Sequence, residues 1–223
     1  MSLWIKICGN TSLADAKLAV DAGADAVGFV FAASPRQVTL EQVAAITPHL
    51  TGAVEKIGVF VDADFKAIAE ATERCGLTGV QLHSDGSAGL AARLRQRFGP
   101  GLRILRVIHF DDDAARQFQE TASDAYIDGV LVDSRTATAV GGTGIAFDWQ
   151  AAQASIFTGN SPLKLVAAGG LTPANVAEAI ATLHPWGVDV ASGTELSPGR
   201  KDPAKVRAFV ENARNADDGR TDR

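Results

Sequence analysis

The chain has 223 residues, 46% hydrophobic and 21% charged, with a formal net charge of −5. That length suits one α/β barrel with a sizeable core, and the composition lies far from the disordered and membrane classes. The acidic balance argues against nucleic acid or an anionic membrane surface as the main partner, and the two cysteines, Cys8 and Cys75, form neither a disulfide framework nor a Cys-x-x-Cys metal motif.

In chain order, short apolar runs rich in β-branched residues occur at 4–8, 25–31, 55–61, 79–83, 103–109, 128–133, 164–168 and 187–191. Between and after them, stretches at 12–23, 39–50, 64–76, 87–99, 113–123, 147–157, 172–183 and 202–213 carry apolar residues at three- and four-residue spacing, most with Ser, Thr or Asp near the start or Gly near the end. Strands apolar throughout, each followed by a helix, predict a parallel sheet covered by helices, and eight such units predict an α/β fold of the single (β/α)8 TIM barrel type. A doubly wound open sheet competes, but "CGNTSLADA" after the first strand lacks its Gly-x-Gly-x-x-Gly turn. The barrel is expected to span 1–213, with 214–223, "NADDGRTDR" from Asn215, as a frayed tail. No apolar segment reaches the ~18 residues of a membrane span and no export leader opens the chain, so the expected location is cytoplasmic.

In a parallel barrel the ends of the strands converge on one face, and that face carries the chemistry. The residues there are Cys8, Arg36, Asp62, His83, His109, Asp133, Gly169 with Gly170, and Ser192 with Gly193. The glycine turns after strands 7 and 8 can bind a phosphate through backbone N–H groups, which reconciles an acidic protein with an anionic ligand. Arg36 is either a solvated arginine or a fork for a carboxylate or phosphate. Asp133 is a turn former or a general acid, and Cys8 is a buried thiol or a reactive one. His83, His109, Asp62 and Asp133 are metal-ligand types without a recognisable spacing, so no metal is expected. After Asp133, "SRTATAVGGTGIA" exceeds the usual length of a βα loop, and its Gly141, Gly142 and Gly144 mark a candidate lid.

"KICGNTSLADAKLAVDAGADAVGFVFAASPRQVT", "IGVFVD", "VQLH", "VLVDS", "GGTGIAFDW", "AGGLTPANV" and "GVDVASGTELSPGRKDP" resemble, in order, the phosphoribosylanthranilate isomerase family from Lys6 to about Phe209. The resemblance implies an Amadori rearrangement of N-(5-phosphoribosyl)anthranilate to 1-(2-carboxyphenylamino)-1-deoxyribulose 5-phosphate, the third step of tryptophan synthesis from chorismate, without a cofactor. It also implies Cys8 as general base, Asp133 as general acid, Arg36 as holder of the anthranilate carboxylate, and Gly169, Gly170, Ser192 and Gly193 as phosphate binders. His83 and Asp189 are expected to touch the substrate. The partner is then this small phosphosugar-anthranilate, not nucleic acid or membrane, with a monomer or a homodimer both admitted. "LHSDGS", Ile145 and the "ASG" turn at Ala191 depart from the family pattern without touching Cys8, Asp133 or Arg36. An indole-glycerol-phosphate synthase, a sugar-phosphate epimerase or a non-catalytic phosphosugar-binding barrel are the competing readings.

Overall fold

In the computed structural model, which describes residues 2–83, 89–134, 148–159 and 161–221, eight parallel strands close into a barrel in sequence order. They are β1 (Trp4–Ile7), β2 (Ala26–Val30), β3 (Glu55–Val61), β4 (Gly79–His83), β5 (Arg103–His109), β6 (Gly129–Asp133), β7 (Lys164–Ala167) and β8 (Gly187–Val190). The helices on the outside are α1 (Leu13–Asp21), α2 (Leu40–Ile46), α3 (Phe65–Arg74), α4 (Leu90–Phe98), α5 (Ala114–Ala122), α6 (Trp149–Ser155), α7 (Val176–Leu183) and α8 (Pro203–Thr221). The starts follow from local hydrogen bonding. Ser12, Asp64 and Asp148 accept from backbone N–H groups of the first turns of α1, α3 and α6, and Thr39 forms a capping box with Gln42 at α2.

Alternation along each strand splits the core in two. One set of side chains, including Ile5, Ile7, Val27 and Phe29, packs outward against the helices. The other set fills the barrel itself with Trp4, Ala26, Ile57, Leu105, Val107, Leu131, Val166 and Ala168. Each large apolar side chain buried this way contributes about 1.5–3 kcal/mol, so the lower barrel is a packed floor. Trp4 and Trp186 stack there with ring centroids 5.1 Å apart, and the Arg103 guanidinium lies 5.2 Å from the Trp186 ring while its Nε donates to Glu55 at 2.6 Å.

Two elements differ from expectation. Residues 214–221 do not fray from the barrel but continue α8, because Asp217 accepts the Leu3 N–H at 2.8 Å and Arg214 donates to the Leu3 carbonyl and to Asp25 at 2.7 Å. These contacts tie the last helix to the first strand. After β8, a single 3₁₀ turn at Ser192–Thr194 leads into a hairpin of β9 (Glu195–Ser197) and β10 (Arg200–Lys201), which has no counterpart in the eight-unit pattern. No helix among the described residues is long and apolar enough to cross a membrane.

Candidate active site

Above the apolar floor, three strands that otherwise read as apolar each place one polar side chain inside the barrel. Lys6 on β1 and Asp189 on β8 are register partners, and Gln81 on β4 faces them. Lys6 is wholly buried, and its Nζ donates to Gln81 Oε1 at 2.8 Å and to Asp189 Oδ1 at 2.9 Å. Gln81 spends its oxygen on Lys6, so its amide N–H is the group that meets His83 Nε2 at 2.9 Å. A hydrogen-bonded line thus crosses the barrel from β8 to β4. Burial pushes the Asp189 carboxyl up, against the pull of Lys6. Burial alone would lower the Lys6 ammonium, but the charges of Asp189 and Cys8 outweigh it and raise it.

The strand ends enclose one cavity of about 820 Å³, its open mouth included. Cys8, Arg36, His83, Asp133, Gly169, Gly170, Asp189 and Ser192 all lie on its wall, so most of the residues singled out from the sequence meet in one place. Gly141, Gly142 and Gly144, with Ile145, lie outside the described residues. Asp62 is exposed, and it follows β3 with a left-handed φ of 50° rather than lining the cavity. His109 stacks obliquely on His83 at 6.2 Å, and the described residues hold no cluster of metal-ligand side chains.

Cys8 follows β1 on the inner face, and its sulfur fills the space a side chain on Gly28 would take, 2.6 Å from that ideal Cβ. Burial pushes its thiol above the ordinary value, while Lys6 and Lys201 pull it down and Asp189 adds to the rise. Lys201, reaching back from β10, donates to the carbonyls of Cys8 at 2.6 Å and Ala191 at 3.0 Å, which ties the ends of β1 and β8 together.

Arg36 is less free than its sequence context implies. Its Nε and Nη2 donate to the two carboxylate oxygens of buried Glu195 at 2.8 and 2.7 Å. A guanidinium has five N–H donors, so three remain for a ligand in the cavity, and the Glu195 fork fixes their direction.

On the opposite side, Gly169 and Gly170 both take left-handed φ values, 76° and 66°. A Cβ on Gly169 would stand 2.5 Å from Asp133 Oδ1, so the glycine lets the β6 carboxylate and the β7 turn share one corner. Asn175 braces this turn, donating to the Gly170 carbonyl at 3.0 Å and accepting the Thr172 N–H at 2.7 Å. Gly193 is not on the cavity wall. A Cβ there would meet the Leu171 carbonyl at 1.9 Å, so it permits the turns after β7 and β8 to touch. The arrangement offers an anion cradle of backbone, a cation fork, and a thiol and a carboxyl on opposite sides of one space.

Lys6, Gln81, Glu195 and Lys201 were not among the residues drawn from the sequence. A polar residue interrupting an apolar barrel strand is the signal for the first two, since it must point inward and find a partner. Glu195 and Lys201 lie on the unforeseen hairpin and carry no such signal.

The family model for N-(5′-phosphoribosyl)anthranilate isomerase matches residues 5–212. An N-(5′-phosphoribosyl)anthranilate isomerase from Pelobacter propionicus is 41% identical over 207 residues, covering 92% of this chain and 93% of its own. The crystal structure of the Thermotoga maritima phosphoribosylanthranilate isomerase aligns with a TM-score of 0.83 at 33% identity, covering 96% of this chain and 99% of that one. A phosphoribosylanthranilate isomerase solved with reduced 1-(o-carboxyphenylamino)-1-deoxyribulose 5-phosphate aligns with a TM-score of 0.80 at 31% identity, with the same coverage.

Proposed function

Because the chain belongs to the N-(5′-phosphoribosyl)anthranilate isomerase family, we propose that it performs the family's rearrangement in tryptophan biosynthesis with Cys8 as general base and Asp133 as general acid. The observation that carries this reading is that Cys8 and Asp133 line one cavity between a glycine cradle and the Arg36 fork. The substrate has a phosphate at one end and a carboxylate at the other. The cradle of Gly169, Gly170 and Ser192 takes the phosphate, Gly193 supports it from behind, and Arg36 takes the carboxylate. The sugar is then held between acid and base, and this orientation supplies part of the rate.

Asp133 protonates the furanose oxygen, and the ring opens to a Schiff base whose nitrogen is that of the anthranilate. Cys8, as thiolate, removes the proton from C2′. The C–H electron pair becomes the C1′–C2′ double bond, and the C=N pair returns to nitrogen. The resulting enolamine tautomerises to the ketone. His83 and Asp189, on the cavity wall, contact the ribose hydroxyls. No step calls for a metal or a cofactor, the reaction takes place in the cytoplasm, and every residue named comes from one chain.

The test is rescue of growth without tryptophan in a host lacking this isomerase, with Cys8→Ala beside the unmodified chain. Rescue by the unmodified chain alone is expected. Failure of the unmodified, well-expressed chain would overturn the assignment.

The Glu195 fork yields a narrower expectation. Glu195→Gln keeps a hydrogen-bond acceptor but removes the charge that aims Arg36, and one charge-assisted hydrogen bond is worth about 1.5–3 kcal/mol. KM should therefore rise about tenfold while kcat stays within a few-fold, as steady-state kinetics would show. A fall in kcat at constant KM would exclude this role.

A further inference from the structure

We propose that Lys6 is the positioning residue that makes Cys8 a base, holding an ammonium beside the sulfur so that a thiolate faces the substrate. The proposal rests on the reading of Cys8 as general base and adds the residue that supplies its charge.

The geometry starts with alternation along β1. Lys6 and Cys8 are two positions apart and share the inner face, and Gly28 on the neighbouring strand leaves the room both occupy. The ideal Cβ of Gly28 would lie 2.6 Å from the Cys8 sulfur and 3.0 Å from Lys6 Cε, so the sulfur and the end of the Lys6 chain border one gap, where the charge of each acts on the other. An ammonium has three N–H donors. Lys6 uses two, on Gln81 and Asp189, and the third remains.

Other charges surround the sulfur, and each has its own task. Lys201 donates to the Cys8 and Ala191 carbonyls and lies within reach of Thr194 Oγ1 and Glu195. Arg36 spends two donors on Glu195 and turns the others to the cavity. Asp189 faces the sulfur from β8, and Asp133 lies across the cavity on β6. Among these groups, Lys6 shares the inner face of β1 with the sulfur and keeps one N–H donor there, whereas Arg36 turns its spare donors to the ligand space and Lys201 is tied to backbone carbonyls.

Packing does not account for a lysine here. A buried ion pair in a barrel is often no more stable than apolar residues of the same volume, so the Lys6–Asp189 pair calls for another reason. Proton bookkeeping supplies one. The thiolate takes the C2′ proton and becomes a thiol, Lys6 stays an ammonium throughout, and Asp189 keeps its charge balanced once the sulfur is neutral. Burial pushes the thiol up, and Lys6 is the largest opposing influence.

The test is the titration of the Cys8 thiol by its alkylation rate with iodoacetamide, in a Cys75→Ser background, beside the pH profile of kcat/KM. Lys6→Met should move the ionisation of Cys8 upward by about 1 pH unit or more and shift the rising limb of kcat/KM with it, lowering kcat/KM at neutral pH at least about tenfold. Since Lys6→Met leaves Asp189 buried without its partner, the pair Asp189→Asn and Lys6→Met/Asp189→Asn repeats the comparison without that imbalance. The double variant should again titrate higher than Asp189→Asn alone. Unchanged thiol titration on removing Lys6 would overturn the proposal and leave Lys6 a structural residue. An active Cys8→Ala variant would instead remove the base assignment itself, an outcome separate from the thiol titration.

Discussion

Cys8→Ala is expected to lower kcat by about 10³-fold, within the range a positioned general base contributes, while KM changes no more than a few-fold. The change removes one buried sulfur from a site already walled by Gly28 and the Lys6 stem, so the cost to stability should stay near 1 kcal/mol and the barrel should remain closed. The proposed phosphate cradle and the Arg36 fork follow other strands, so binding should survive. The unmodified enzyme should show the matching pH signature. Because burial holds the Cys8 thiol above its ordinary value, only a small part is thiolate near neutrality. The free-enzyme profile, kcat/KM, should therefore climb with pH through neutrality and level off only above the usual thiol range of about 8.5–9. Steady-state kinetics over about pH 6 to 10 measure this limb, which should vanish in Cys8→Ala. A pH-independent kcat/KM in the unmodified enzyme would show that Cys8 is not the base.

The strand pattern was legible because each strand of a parallel barrel is buried on both faces. The eight apolar runs match β1–β8 to within a residue or so at either end. The helix starts were legible where a capping side chain stands, as at Ser12 and Thr39, and less so at α7, whose expected first turn from Thr172 is a turn braced by Asn175. The tail was misread because its composition is polar, whereas its order comes from Arg214 and Asp217 reaching the start of β1, more than two hundred positions away in the chain. The same distance rule hid half of the site. Cys8 follows β1 and Asp133 ends β6, and their placement follows from counting. Glu195 and Lys201 matter through Arg36 and the Cys8 carbonyl, contacts that only the folded chain creates. Lys6 stood at the head of "KICG" in plain view, but its role depends on a register partner on β8.

Asp133→Asn is expected to lower kcat by about 10³-fold as well, at a different step. Asparagine keeps the size of the side chain beside Gly169 and the backbone bond from Phe110 N to the residue 133 carbonyl, 2.9 Å in the present structure, so the corner holding the phosphate turn should persist. What it lacks is a proton that can be given to the furanose oxygen. The substrate would then bind and stay closed, whereas in Cys8→Ala it would open and wait at the Schiff base. Deuterium at C2′ separates the two variants. The C2′–H bond breaks in the slow step of Cys8→Ala, so deuterium should slow that variant, but ring opening precedes C2′–H cleavage in Asp133→Asn, and deuterium should have little effect there. An equally large isotope effect in both variants would mean that Asp133 acts at or after proton removal, and its assignment as the ring-opening acid would fail.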